Sequence, residues 1–194
     1  MRRLVLATAN AHKAAEMRAV LSGLGFVIEQ RPEGLGEVDE VEDTLQGNAL
    51  LKARVVAAAA GATAVADDTG LFVDALDGRP GVYSARYAGP GASDAQNVAR
   101  VLAELEDVAP DRRGAHFRTV IAVAEPDGSA RWVEGVLEGR IAPAPRGAHG
   151  FGYDVVFIPR DLGGETLAEL SAQEKNAISH RGLALRALAE LLRT

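Results

Sequence analysis

Apolar residues recur along this chain in two alternating patterns, one typical of strands and the other of helices. The first strand is predicted at 3–8, and an amphipathic helix follows at 10–23 with Met17, Val20 and Leu21 facing inward. This alternation predicts an α/β fold with two lobes around one sheet. Further strands are predicted at 26–29, 63–66, 71–73, 115–125, 130–141 and up to Ile158, and further helices at 44–60, 93–108 and from Ser179 onward, with Leu185, Leu188, Leu191 and Leu192 inward.

Local signals mark the ends of several of these elements. The sequence Pro-Asp-Gly-Ser at 126–129 predicts a turn that joins the two long strands as a hairpin. A capping box, in which a polar N-cap residue precedes Gln or Glu by three positions, predicts three helix starts. The pairs are Asp43 with Gln46, Ser93 with Gln96, and Ser171 with Glu174.

Two adjacent aspartates, Asp67 and Asp68, directly follow the short strand 63–66. They predict an acidic corner where that strand ends, and ligands of open α/β sheets bind at the carboxyl ends of strands. Neighbouring carboxylates can hold a hard cation or act as a base. The alternative is an inert, solvated turn formed by residues 67–70.

A loop at 31–43 precedes the second predicted helix and is rich in acids. Such a run is usually a solvated loop, but one of its carboxylates can complete a cation site with Asp68. The candidate acids of this loop are Glu37, Asp39, Glu40, Glu42 and Asp43.

Lysine is rare in this chain, since 18 of the 21 basic residues are arginine. Each lysine has an asparagine within four positions, and a codon bias against both residue types does not explain that pairing. An ammonium group is a compact point charge suited to a phosphate oxygen. We therefore predict that the lysines contact one anionic ligand, with coincidence as the alternative. The pairs are Lys13 with Asn10, Lys52 with Asn48, and Lys175 with Asn176.

The turn between the first strand and the first helix, residues 8–13, is a candidate anion site. A strand-to-helix turn brings free backbone N–H groups and the positive end of the helix dipole together. Thr8 and Asn10 can cap the helix, which is compatible with phosphate binding. Lys13 favours the anion site, because a cation in the first turn is otherwise unfavourable.

Composition excludes several classes of function. The net charge of −6 (21 basic against 27 acidic residues) argues against nucleic acid as a partner. The chain has no cysteine and four scattered histidines, so any metal is expected to have oxygen ligands. No apolar run reaches the roughly 18 residues of a membrane span. We therefore expect a cytoplasmic protein that does not contact a membrane.

Five segments of this chain resemble, in order, the motifs of the inosine triphosphate pyrophosphatase family, whose members cleave the non-standard purine nucleotides ITP, dITP and XTP to the monophosphate and pyrophosphate. The resemblance implies a single two-lobed domain over 1–194 around a long mixed sheet, with the active site in the cleft between the lobes. It also implies a purine nucleoside triphosphate as substrate, Mg²⁺ as cofactor, with Mn²⁺ as a substitute, and a homodimer. The segments are TANAHK (8–13), NALLKA (48–53), ADDTGLFVDALDGRPGVYSARYAG (66–89), FGYDVVF (151–157) and EKNAISHR (174–181).

The resemblance also implies roles for individual residues. Asp68 becomes the catalytic carboxylate and a metal ligand, with Asp67 beside it. Glu40, twelve positions before Lys52, becomes the second metal ligand, and Lys13 and Lys52 become catalytic phosphate contacts. The implied substrate-binding residues, of which those from Phe151 onward form the wall for the base, are Thr8, Asn10, Lys13, Lys52, Thr69, Phe151, Gly152, Tyr153, Asp154, Lys175, His180 and Arg181.

The chain departs from the family pattern at three positions. Many members have an acid where this chain has Gly47, and an aromatic residue where it has Leu45. An essential acid at position 47 would put metal affinity in doubt, although Glu40, Glu42 and Asp43 lie nearby in sequence. Thr69 replaces the usual serine and keeps the hydroxyl.

Two other classes of function stay open on the sequence. A non-catalytic nucleotide sensor would keep the phosphate contacts and lose the acids, whereas Asp67 and Asp68 are present. An RNA-binding module would need a basic face studded with aromatic residues. A chain with a net charge of −6 and 5% aromatic residues offers little of either.

Overall fold

A computed structural model describes residues 2–36 and 38–193, so Glu37 of the acidic loop lies outside the described residues. The described part is an α/β structure with short 3-10 helices between its main elements. The strands are β1 (Arg2–Leu6), β2 (Phe26–Gln30), β3 (Thr63–Val73), β4 (Pro80–Gly81), β5 (Gly114–Ala124), β6 (Ala130–Ile141) and β7 (Phe157–Pro159). The helices are α1 (Ala11–Leu21), α2 (Leu45–Ala60), α3 (Asp94–Glu104), α4 (Ala172–Ile178) and α5 (His180–Leu191).

The strands form one mixed sheet in the order β2-β1-β3-β5-β6-β7, with β4 paired to β3. Strand β1 runs parallel to both β2 and β3, whereas β4 is antiparallel to β3 and β7 is antiparallel to β6. The predicted α/β fold with a long mixed sheet is therefore confirmed. The position of the active site in a cleft stays a prediction.

The first of two compact units comprises Met1–Asp68, Thr119–Gly135 and Arg181–Thr194. Its core is apolar and includes the residues predicted to face inward from the first and last helices. Met17 and Leu21 are fully buried, and Val20 packs against them as a partly buried residue. In α5, Leu185 and Leu188 are buried and Leu191 and Leu192 are partly buried in the same core.

The second unit comprises Thr69–Arg118 and Val136–His180 and has its own apolar core. Two of its helices begin as the sequence predicts. Ser93 accepts a hydrogen bond from the Gln96 backbone N–H and opens α3, and Ser171 does the same with Glu174 for α4. Each box is reciprocal, which satisfies two backbone donors at the helix start.

Two local predictions are wrong. The strand predicted to end at Ala66 continues to Val73, so Asp67 and Asp68 lie inside β3 and not at a corner. The physical reason is Gly70, where a Cβ would lie 2.6 Å from the carbonyl oxygen of Gly81. This glycine lets β4 approach β3 closely, which is a role for glycine within strands as well as in turns.

The second correction concerns the start of α2. The N-cap is Thr44, not Asp43, and the Thr44 Oγ1 accepts from the Gly47 N–H at 3.0 Å. Threonine and aspartate are both good N-caps, so the two possible registers differ little in local energy. At the other end, Gly61 closes α2 in the left-handed conformation that glycine adopts without strain.

Candidate active site

Strand β3 places two buried carboxylates next to each other in the chain. Asp67 and Asp68 are 2% and 5% exposed. Successive side chains of a strand point to opposite faces of the sheet. The two aspartates therefore face different surroundings within the first unit.

Asp67 lies among balanced charges. Its Oδ2 is 3.0 Å from Lys13 Nζ and 3.3 Å from Arg181 Nε, and Arg181 Nη1 donates to Glu16 Oε2 at 2.5 Å. Burial acts to raise the pKa of Asp67, but the attraction of Lys13 and Arg181 outweighs burial and holds the pKa well below its usual range. Asp67 is therefore an anion at neutral pH, and these four side chains carry two positive and two negative charges.

Asp68 lies in a less compensated group. Lys52 Nζ is 3.1 Å from Asp68 Oδ1 and 2.7 Å from Glu40 Oε1, so one ammonium serves two carboxylates. Burial, together with the negative charge of Glu40, raises the pKa of Asp68 to about 6, although Lys52 acts in the opposite direction. Carboxylates held this close to one cation are able to share a divalent ion or to accept a proton.

Helix α2 supplies the donors that contact Asp68. Burial acts to lower the pKa of Lys52, but the carboxylates of Asp68, Asp67 and Glu40 raise it above its usual value, so Lys52 stays charged. One turn earlier on the helix, Asn48 Nδ2 lies 3.3 Å from Asp68 Oδ2. A spacing of four residues puts Asn48 and Lys52 on the same helix face.

The predicted turn before α1 is organised around Asn10. The Asn10 Oδ1 accepts from the backbone N–H groups of His12 at 2.9 Å and Lys13 at 3.2 Å, and Thr8 Oγ1 accepts from the Asn10 N–H at 3.1 Å. The predicted capping role is confirmed for Asn10, the N-cap of α1, whereas Thr8 contacts the N-cap residue and not the helix. Binding of an anion at this turn stays a prediction.

The predicted residues of the second unit form a separate group around Asp154. Its Oδ2 is 2.7 Å from Lys175 Nζ and accepts from the Phe151 N–H at 2.9 Å. Lys175 Nζ also lies 4.6 Å from the centre of the Phe151 ring, a cation–π contact. The buried carboxylate of Asp154 thus holds both Phe151 and Lys175 in place.

Neighbouring contacts hold the rest of this segment. The Tyr153 hydroxyl donates to the Ser84 carbonyl at 2.8 Å, and the Gly152 N–H donates to Asp94 Oδ2 at 2.8 Å. His180 is buried and stacks on Phe117, with ring centres 4.4 Å apart. Their predicted contacts with a purine base stay predictions.

The predicted site residues thus divide between the two units. Arg181, predicted for the base wall, belongs to the first unit, where it contacts Asp67 and Glu16. Action of the three lysines on one ligand stays a prediction. The first unit holds Thr8, Asn10, Lys13, Glu40, Lys52, Asp68 and Arg181, and the second holds Thr69, Phe151, Gly152, Tyr153, Asp154, Lys175 and His180.

Asp68 and Glu40 are suited to hold a divalent cation jointly with a bound substrate. Over residues 2–36 and 38–193, no three or more His, Cys, Asp or Glu side chains gather as a metal-binding group. Mg²⁺ in enzymes that act on phosphates keeps several waters and takes one or two carboxylates plus phosphate oxygens. The convergence of both carboxylates on the Lys52 ammonium shows that they can reach one cation, so the residues fit this pattern.

Gly47 is the position at which many family members have an acid, and its backbone lies close to the Glu42 side chain. A Cβ at position 47 would be 2.7 Å from Glu42 Cβ and 3.1 Å from Thr44 Oγ1. A larger residue here would displace the start of α2 or the loop before it. The acid of the family pattern is therefore incompatible with this loop conformation.

The sequence alone assigns no role to two residues of this region, Asn48 and Glu16. The available signal for Asn48 is its spacing from Lys52. Glu16 follows Lys13 by three positions, which places both on one face of α1, and this spacing was the available signal. No helix within the described ranges has the length and apolar character that crossing a membrane requires.

Comparison with known proteins gives one consistent match. A dITP/XTP pyrophosphatase of Streptomyces coelicolor is 49% identical over 100% of this chain and 98% of its own. One of Nitratidesulfovibrio vulgaris is 51% identical over 97% of this chain and 94% of its own. A HAM1 protein of Coxiella burnetii superposes with a TM-score of 0.91 at 43% identity, covering 100% of this chain and 99% of that one. The model of the Ham1 family matches residues 4–191, and this chain therefore belongs to the Ham1 family.

Proposed function

We propose that this chain is a nucleoside triphosphate pyrophosphohydrolase that cleaves ITP, dITP and XTP to the monophosphate and pyrophosphate. The observation that carries the proposal is the buried carboxylate of Asp68 with the partly buried Lys52 and Glu40 beside it, in a chain whose relatives are named dITP/XTP pyrophosphatases. The motifs that resemble the family also supply candidate residues for binding the phosphates and for binding the base.

The reaction requires a water molecule at the α phosphorus, while negative charge develops on the departing pyrophosphate. Asp68 orients this water and accepts its proton, a role suited to a carboxylate whose pKa burial raises to about 6. Lys13 and Lys52 stabilise the charge on the phosphates. Positioning and electrostatics supply most of phosphoryl-transfer catalysis, so no covalent nucleophile is needed.

The cofactor we propose is Mg²⁺, held by Asp68 and Glu40. When bound, Mg²⁺ neutralises phosphate charge and orients the triphosphate. Mn²⁺ should replace it, whereas Ca²⁺, which is larger and more loosely coordinated, should not. Rate measurements with each ion at equal concentration test this choice, and a rate with Ca²⁺ equal to that with Mg²⁺ would contradict it.

Selection of the base follows from the direction of hydrogen bonds. Lys175 and His180 of the second unit both carry donors, and Phe151 of the same unit offers a face for stacking. Such a wall suits the 6-oxo group of hypoxanthine or xanthine and opposes the 6-amino donor of adenine. A site of this kind can reject the wrong partner by about 10⁴. Guanine shares the 6-oxo group, so discrimination against GTP should be smaller than that against ATP.

The experiment that tests the function is release of pyrophosphate from ITP with Mg²⁺. We expect kcat/KM for ITP and XTP to exceed that for ATP by several orders of magnitude, with GTP between them. Binding of ITP without release of pyrophosphate would favour a nucleotide sensor instead. Equal hydrolysis of ATP and ITP would reject the base selection.

We also propose a cytoplasmic homodimer, which the family resemblance supports. Analytical ultracentrifugation of the full chain should give twice the mass of the 20.3 kDa protomer. A monomer at micromolar concentration would reject the dimer.

A further inference from the structure

Asn48 is a buried polar residue of α2 whose side chain joins two parts of the candidate site. It is 0% exposed, its Oδ1 accepts from the Glu42 N–H at 3.0 Å, and its Nδ2 donates to the Glu42 carbonyl at 3.3 Å. The same Nδ2 lies 3.3 Å from Asp68 Oδ2. Asn48 therefore ties the backbone of the loop that carries Glu40 to the carboxylate of Asp68.

The spacing of Asn48 and Lys52 gives each oxygen of Asp68 its own donor. Lys52 Nζ contacts Oδ1 at 3.1 Å, and Asn48 contacts Oδ2. Two donors on different oxygens oppose rotation of the carboxylate about its Cβ–Cγ bond. Because Asn48 is neutral, it restrains Asp68 without cancelling the charge that a cation would need.

We propose that Asn48 is a positioning residue for the divalent cation, which fixes the orientation of Asp68 and the place of Glu40 beside it. This inference rests on the proposed role of Asp68 and Glu40 as metal ligands. Residues that orient metal ligands typically contribute 10- to 100-fold in metal affinity. Asn48 acts through these two carboxylates and does not contact the cation.

Asn97 of α3 offers a matched control. It is 2% exposed, its Oδ1 accepts from the Ala88 N–H at 2.8 Å, and its Nδ2 donates to the Ala85 carbonyl at 3.1 Å. Asn97 thus accepts from one backbone N–H and donates to one backbone carbonyl, as Asn48 does, but it does so in the second unit. Alanine at either position removes two loop contacts, and only Asn48→Ala also releases Asp68.

The test is the Kd for Mn²⁺ of the full chain without nucleotide, measured by water-proton relaxation for wild type, Asn48→Ala, Asn97→Ala and Asp68→Asn. We expect Asn48→Ala to raise the Kd at least about tenfold and Asn97→Ala to leave it within about twofold. Both alanine variants should lower Tm, because each removes two hydrogen bonds between a buried side chain and a neighbouring backbone.

A Kd raised by Asp68→Asn but no more by Asn48→Ala than by Asn97→Ala would overturn the inference and leave the metal role of Asp68 intact. A Kd unchanged by Asp68→Asn would overturn both. If Asn48→Ala does not fold, Asn48→Ser takes its place, because its hydroxyl is too short to reach Asp68 and the same outcomes apply.

Discussion

Asp67 and Asp68 are the same residue type at adjacent positions of one strand, yet their surroundings differ. Asp67 meets two cations, Lys13 and Arg181, and its pKa lies well below the usual range. Asp68 shares a single ammonium with Glu40, and its pKa is raised to about 6. Burial acts on both in the same direction, so the neighbouring charges decide the difference.

The difference indicates a division of roles between the two carboxylates. A buried anion with complete compensation contributes to the folded structure, because removing it strands its partners. A buried anion with incomplete compensation is less favourable for folding and is available for a cation or a proton. Perturbed carboxylates of this kind are typical of functional sites. Mutation of each aspartate to asparagine should therefore affect different properties.

The largest effect is expected for Asp68→Asn on catalysis. The change removes the proposed base and metal ligand, so kcat for ITP should fall by at least about a thousandfold. Binding of ITP should stay measurable, because Lys13 and Lys52 remain. The free energy of unfolding should change little, since Lys52 keeps Glu40 at 2.7 Å. Activity within about tenfold of wild type, roughly 1.4 kcal/mol of barrier, would reject the catalytic role.

Asp67→Asn should have its main effect on stability. Removal of one member of a buried ion group typically costs about 3 kcal/mol or more, because the remaining charges stay buried. Urea denaturation measures this loss, and Glu29→Gln, which removes the exposed pair of Glu29 with Arg3, is the control. A loss in Asp67→Asn no greater than in Glu29→Gln would contradict a structural role for Asp67.

A smaller effect, on metal use, is expected for Glu40→Gln. The substitution removes one of the two proposed ligands and should raise the Mg²⁺ concentration for half-maximal rate about tenfold, or ~1.4 kcal/mol. Glu42→Gln and Asp43→Asn are controls on the same loop and should leave this concentration unchanged. A larger shift in either control than in Glu40→Gln would assign the ligand to that residue instead.

The sequence predicted the elements well where local signals were strong. The capping residues Ser93 and Ser171 and the inward face of α1 follow from short-range rules, and the structure confirms them. The continuity of β3 did not follow, because it depends on the approach of β4 to Gly70 from outside the segment. The sequence Asp-Asp-Thr-Gly at 67–70 resembles a turn until the strand that pairs with it is known.

The candidate site shows the same limit. Its acids and lysines were predicted from motifs, but their pairing was not. Nothing in the sequence assigns Lys13 to Asp67 and Lys52 to Asp68, since that depends on the alternation of side chains along β3 and on the placement of α1 and α2. The link that Asn48 makes between the Glu42 backbone and Asp68 likewise cannot be predicted from the sequence, because it depends on the positions of both residues in the fold.

The smallest predicted effect concerns Gly47, which lies in the first turn of α2 directly before Asn48. Glycine to alanine within a helix would ordinarily stabilise by up to about 1 kcal/mol. Here the added Cβ would lie 2.7 Å from Glu42 Cβ, and Glu42 is held through its backbone by Asn48. We expect Gly47→Ala to lower the free energy of unfolding by about 1 kcal/mol, because overpacking outweighs the helix preference. Gly23→Ala is the control, since a Cβ there meets nothing within 4 Å. A Gly47→Ala variant at least as stable as Gly23→Ala would contradict this prediction. It would show that the loop at Glu42 can move to admit the added Cβ without loss of stability.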